Sequence, residues 1–137
     1  MPDTVSTIIV DTDVVSFGFK GDTRAALYDP HLVDRLSYIS FQTLAELEQW
    51  AIARHWGARR HDALMEFIKE RFAVLESSPQ LCRQWAEVRE QVRQAGRVLQ
   101  PTDAWIAATA VLYGVPLVTH NKDDFAHVPG LTVISER

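Results

Sequence analysis

One cysteine, Cys82, stands in 137 residues. No disulfide can form within the chain, which reads as a reduced, cytoplasmic protein. No apolar run approaches the length of a membrane span, and the first, near Thr7, is too short and too early for a signal peptide. Positive charge is scarce, with 14 Lys and Arg against 18 Asp and Glu for a formal net charge of -4. That excludes a protein that coats nucleic acid by bulk charge and leaves any such contact to local patches. Internal repeats, low-complexity tracts and Pro/Gly/Ser-rich linkers are also missing. Nothing divides the chain, so residues 1–137 are expected to form one domain. What is present is apolar content, 47% of residues, enough for a core at this length.

The apolar residues fall into an alternation of strands and helices. Thr7 to Val10 is short, apolar and β-branched and stops at Asp11, which suits a strand buried on both faces of a parallel sheet. Tyr38-Ile39 is a shorter candidate, and Pro116–Thr119 and Leu131–Ile134 are introduced by Gly114 and by Pro129-Gly130. Helical spacing runs through Phe41–Trp56 up to Gly57, through Leu64, Phe67, Ile68 and Phe72, and through Leu81, Trp85, Val88 and Val92 up to Gly96. A last helix follows Pro101, with Thr102 as its expected N-cap, and runs toward Gly114. This order predicts an α/β fold, and in such folds ligands bind outside the carboxyl ends of the strands.

Asp11 and the stretch Thr119-His120-Asn121 belong to that edge, and three acids deserve weighing there. Asp11 suits the N-cap of a helix beginning at Thr12 or Asp13. Thr43-Leu44-Ala45-Glu46 fits a capping box, and Asp103 sits in a first helical turn, where a carboxylate gains about 0.3–1 kcal/mol from the macrodipole. Capping alone does not explain why Asp11, Glu46 and Asp103 all fall at strand ends or helix starts, where one rim of a sheet can gather them. Gathered carboxylates repel and call for a cation. Oxygen ligands without Cys or His at ligand spacing point to Mg²⁺ or Mn²⁺ rather than zinc, and such ions commonly serve phosphate chemistry. His31, His55, His61, His120 and His127 show no ligand pairing and read as surface or packing histidines.

The ordered set resembles the PIN-domain nucleases: Asp11 closing the first strand, Thr43-x-x-Glu46-Leu47, Asp103-x-x-Ile106-Ala107-Ala108, and Leu117-Val118-Thr119-x-Asn121. Asp124-Phe125-x-x-Val128-Pro129-Gly130-Leu131 is similar to the VapC toxins within that family. No single motif is specific, but the set spans nearly the whole chain. The resemblance implies an α/β/α sandwich with a mostly parallel sheet and a metal-dependent endoribonuclease toxin acting on RNA. It also implies a cognate antitoxin and a homodimer. By position Asp11, Glu46 and Asp103 match the three central acids and are the expected Mg²⁺ ligands. Thr119 matches a supporting hydroxyl, and Asn121 stands where many members carry Asp and others Asn; the two are expected to complete the rim, with Asp123 or Asp124 as substitutes for the fourth acid. Asp13 falls where the family varies and reads as a supporting group or helix cap.

A competing reading takes Asp11-Thr12-Asp13-Val14-Val15 as the D-x-D-x-[TV] signature of haloacid dehalogenase-like phosphatases, with Asp11 as nucleophile and Asp13 as general acid. It leaves Glu46 and Asp103 without a role. Arg89, Arg93 and Arg97 follow Trp85 at four-residue spacing and form a stripe suited either to RNA phosphates or to a solvated face beside Glu87 and Glu90. Arg54, Arg59 and Arg60 form a second basic cluster of the same ambiguity. Trp50, Trp56, Trp85 and Trp105 lie inside apolar helical patterns and read as core or interface residues more than base-stacking platforms. Helices around Trp50 and Phe67 are the expected antitoxin groove.

Overall fold

A sheet of five short parallel strands forms the centre of the computed structural model, which describes residues 6–137. β1 (Ser6–Val10) carries Ile8, Ile9 and Val10 fully buried, as a strand covered on both faces must. β2 (Arg35–Ser40) pairs with one side of it, Ile9 opposite Tyr38, and β4 (Leu117–Val118) with the other, Val10 opposite Val118. β3 (Ala73–Leu75) and β5 (Val133–Ile134) form the edges, giving the order β3-β2-β1-β4-β5.

α1 (Thr12–Lys20), α2 (Ala25–Leu32), α3 (Phe41–Ala53) and α4 (Ala58–Arg71) cover one face, where Val14, Tyr28, Leu47 and Leu64 join Ile8 and Val10 in one apolar cluster. Phe67 of α4 would lie 3.1 Å from a Cβ at Gly18, so the missing side chain there lets α4 close onto α1. α5 (Pro79–Gln94) and α6 (Pro101–Tyr113) cover the other face, with Leu81, Val88, Ile106 and Ala107 packed against Ile9 and Leu117. Helices on both faces of the sheet make the expected α/β/α sandwich.

Several boundaries differ from the sequence expectations. Ser40, the last residue of β2, is the N-cap of α3 and accepts from Gln42 N at 3.1 Å. The helix therefore has its cap three residues before the supposed capping box: Thr43 lies inside it, and Glu46 falls in its second turn, where it caps nothing. The N-cap of α6 is Gln100, with Pro101 as the first helical residue, so Thr102 is not a cap. Arg54 and His55 leave helical geometry, which ends α3 before Trp56. α1, α2 and β3 are elements that the apolar spacing did not locate.

Candidate active site

The strand order reverses at β1, which makes the carboxyl ends of β1 and β4 the crevice of this sheet. Asp11 leaves β1 there as the N-cap of α1. Its Oδ1 accepts from Thr12 N at 2.8 Å and its Oδ2 from Thr119 Oγ1 at 2.7 Å. Thr119, fully buried just past β4, also accepts from Asn121 N at 3.0 Å. One hydroxyl thus fixes both the carboxylate and the loop beyond it.

Asp13 accepts from Val14 N through Oδ1, and through Oδ2 from His120 N at 3.1 Å and Asn121 Nδ2 at 2.9 Å. It braces the β4 loop against α1. Glu46 reaches the same rim from α3: Thr12 Oγ1 donates to its Oε1 at 3.3 Å and hydrogen-bonds Thr43 Oγ1 at 2.9 Å. Asp103, in the first turn of α6, faces the cluster half-buried.

The acids act on one another. Asp11 is pushed up to about 8, first by burial and then by the charges of Asp13 and Asp103, against the bonds from Thr119 and Thr12. Asp103 is pushed up to about 6 by burial and by the charges of Asp124, Glu46 and Asp13. Glu46 and Asp13 are raised as well, chiefly by burial. Among the described residues no Lys or Arg forms an ion pair with any of them. The donor set is all oxygen and short of positive charge, which fits a hard divalent cation. As placed, no three carboxylate, imidazole or thiolate groups among the described residues form a closed metal-ligand set.

Of the sequence candidates, Asp11, Glu46, Asp103 and Thr119 meet at this rim. Asn121 gives its amide nitrogen to Asp13, and its Oδ1 accepts from Arg137 Nη1 at 3.4 Å. Among the carboxylates whose charge reaches Asp103, that of Asp124, on a 3-10 turn over Lys122–Phe125, acts most strongly, ahead of Glu46 and Asp13. Sequence reasoning missed Thr12 and His120. Thr12 follows a recognised acid and is buried, but a hydroxyl after a cap carries no distinctive pattern. His120 touches Tyr28 through Nδ1 at 2.6 Å, and Tyr28 also accepts from Glu136 N at 3.2 Å, so the site loop is held from behind. Of the other histidines, His31 pairs with Glu136 and His61 with Glu48, whereas His127 lines the small pocket that holds Asp103, Asp123 and Asp124.

The phosphatase alternative is not supported. It needs Asp13 free to exchange a proton with a leaving group, whereas both oxygens of Asp13 are occupied by donors of its own helix and of the β4 loop.

Residues 8–131 match the PIN domain family. The chain is 30% identical over 136 residues to the VapC ribonuclease Y4jK of Sinorhizobium fredii, covering 93% of this chain and 96% of that one. It is similar in fold to VapBC2 from Rickettsia felis bound to a promoter DNA fragment, with a TM-score of 0.84, 20% identity, and 96% and 99% of the two chains covered. A toxin–antitoxin complex from Klebsiella pneumoniae matches with a TM-score of 0.71 and 26% identity over 93% of this chain and 96% of that one.

Proposed function

The chain belongs to the PIN-domain family, and on that premise we propose that it is a divalent-metal-dependent endoribonuclease, the toxin of a toxin–antitoxin pair. One observation carries this reading: Asp11, Glu46 and Asp103 crowd the switch point of a parallel sheet, and among the described residues no Lys or Arg forms an ion pair with them. The similarity to a VapC ribonuclease over nearly its whole length supports RNA as substrate.

Asp11, Glu46 and Asp103 would hold Mg²⁺ or Mn²⁺, with Asp124 beside Asp103. When bound, such an ion neutralises charge on the phosphoryl group and orients the attacking water. The remaining work belongs to the chain. Thr119 holds Asp11 in one rotamer, Thr12 aims Glu46, and Asp13 with Asn121 fixes the β4 loop across from α1. The N-termini of α1 and α6 point their backbone dipoles at this crevice, a setting that favours the scissile phosphate.

We assign the inhibitory partner to a groove of about 470 Å³ among α1, α2, α4 and β2, where Val14, Val15, Leu32, Phe67 and Phe72 make apolar walls and Arg35 and Arg71 the rim. Phe67 is therefore the better of the two expected anchors. Trp50 lies elsewhere, under the cations of Lys20 and Arg54. The chain then works as one domain, as a homodimer and in the cytoplasm; among the described residues no helix is long and apolar enough to cross a membrane.

The deciding experiment incubates the purified chain with total RNA and with a small phosphomonoester, each with Mg²⁺ and with chelator. RNA cleavage confined to the metal-containing reaction is the expected result. Phosphomonoester turnover, or RNA cleavage indifferent to chelator, would overturn the reading.

A further inference from the structure

Behind α6, on the side of the molecule away from the antitoxin groove, lies a second groove of about 440 Å³, formed by α5 and the loop that leads to α6. Trp85, Arg89, Arg93, Arg97, Val98 and Leu99 line it, together with Glu90. Its composition is unusual for a chain of net charge -4. Arg89 lies 5.1 Å from the Trp85 ring and donates to Leu99 O, so its cation is built into the wall. Arg93 is shared with Glu90, whereas Arg97 is exposed and forms no ion pair with a described residue. Trp85 stacks on Trp105 at 5.0 Å between ring centres, and Trp105 meets Phe41 at 5.3 Å. Indole Nε1 of Trp85 donates to Pro101 O, which sets this aromatic row level with the start of α6 and thus with Asp103.

Val98 and Leu99 also line the small pocket that holds Asp103, Asp123 and Asp124. The two hollows therefore share a wall, and Val98, 81% exposed, sits on it as a saddle. We propose that this groove is a track for single-stranded RNA, running from the acid cluster over Val98 and Leu99 onto Arg89, Arg97 and the exposed part of Trp85. The inference rests on the ribonuclease reading above and adds where the strand goes once one phosphate reaches Asp103. The chemistry suits a flexible polynucleotide: guanidinium groups for successive phosphates, an apolar saddle, and an indole with an attached cation for a base. An acidic cleft alone repels a polyanion, so positive charge one step away from the metal ligands supplies the binding that the cleft cannot.

The test is fluorescence anisotropy of a labelled single-stranded RNA of about twelve nucleotides, titrated with the full chain in EDTA, where cleavage is silent. Arg97→Ala is expected to weaken binding by about threefold or more near 0.1 M salt and to lower the salt-dependence slope by about 0.7. Trp85→Ala should weaken it by about fivefold or more, and Trp85→Phe should restore most of the loss. Arg83→Ala, which removes a cation already paired with Glu87 outside the groove, should bind as the parent does. With Mg²⁺, Arg97→Ala should raise KM and leave kcat close to the parent. If the parent cleaves RNA while Arg97→Ala and Trp85→Ala bind it with unchanged affinity and slope, the track is wrong and the ribonuclease reading stands. Equal losses in Arg83→Ala, or a changed mass by light scattering with RNA affinity intact, would likewise overturn it, the latter marking the groove as a subunit contact. A parent that neither binds nor cleaves RNA removes both.

Discussion

Replacing Thr119 by Val is the sharpest test of how the acid cluster is held. The side chain is fully buried, so the near-isosteric exchange leaves volume almost unchanged and removes only a hydroxyl. That hydroxyl donates to Asp11 Oδ2 and accepts from Asn121 N. A hydrogen bond to an ionised group contributes about 1.5–3 kcal/mol and an orphaned amide costs about 1 kcal/mol more, so the loss should reach about 2–4 kcal/mol when Asp11 is charged. At roughly 0.3 kcal/mol per degree for a chain of this length, Tm should fall by about 7–14 °C. The loss should depend on pH. Asp11 is raised to about 8, so its contribution to stability is present below the ordinary carboxylate range and fades as pH rises through 8. The Thr119 bond favours the charged form, so its removal pushes Asp11 higher still and the added penalty emerges only where the parent ionises. Denaturant unfolding in EDTA should therefore give a cost of about 1 kcal/mol near pH 6, where Asp11 is protonated, and the full value near pH 9. Thr119→Ser keeps the hydroxyl and should cost about 1 kcal/mol at both. Equal costs for Val at the two pH values, or a Ser variant as damaged as Val, would refute the reasoning.

Glu46→Gln should leave folding intact and reduce metal-dependent RNA cleavage by about a hundredfold or more, since an amide is a poor hard-metal ligand and no cap is lost; cleavage at the parental rate would remove Glu46 from the site. Asp11, Asp103 and Glu46 are all raised, so the chain in chelator should melt higher near pH 5 than near pH 8.5, and Mg²⁺ should add more stability at the higher pH; calorimetry showing stability that climbs with pH in chelator contradicts this. Gly114 closes α6 at φ 65°, so Gly114→Ala should cost about 1–2 kcal/mol without altering RNA binding, and a neutral change in urea unfolding would dispute that left-handed cap.

The fold was legible wherever burial left an unbroken or regularly spaced apolar pattern in the sequence. Ile8, Ile9 and Val10 are apolar without interruption because helices cover both faces, and α5 shows Leu81, Val88 and Val92 at helical spacing because only one side of it is wet. Other elements left weaker marks. α1 has Val14, Val15 and Phe17 together, but Gly18 interrupts the pattern for the sake of Phe67. α2 contains Pro30 and buries Tyr28 alone, and β3 is three residues long, below any window in which alternation can be read. In each case a tertiary contact, not local pattern, decides the structure.

The site was legible as a set of acids and illegible in its connections, for a physical reason. The junction of β2 and α3 has no loop: Ser40 ends the strand and caps the helix at once. With no turn residues to mark the boundary, Thr43 and Glu46 looked like a cap and its partner. They are instead two interior residues facing Thr12 across the sheet edge. Asp11 and Asp103 pose the same difficulty from the other side, since each is both a residue that a helix start favours and an acid of the cluster. Helix N-termini partly offset the repulsion of carboxylates gathered without metal, and protons taken up at Asp11 and Asp103 offset more of it. The positions that make the best caps are thus also those where a metal-binding acid is least costly to keep folded. Capping and ligation therefore select the same residues at Asp11 and Asp103, and only a change of charge at constant shape, as in Asp103→Asn, can separate them.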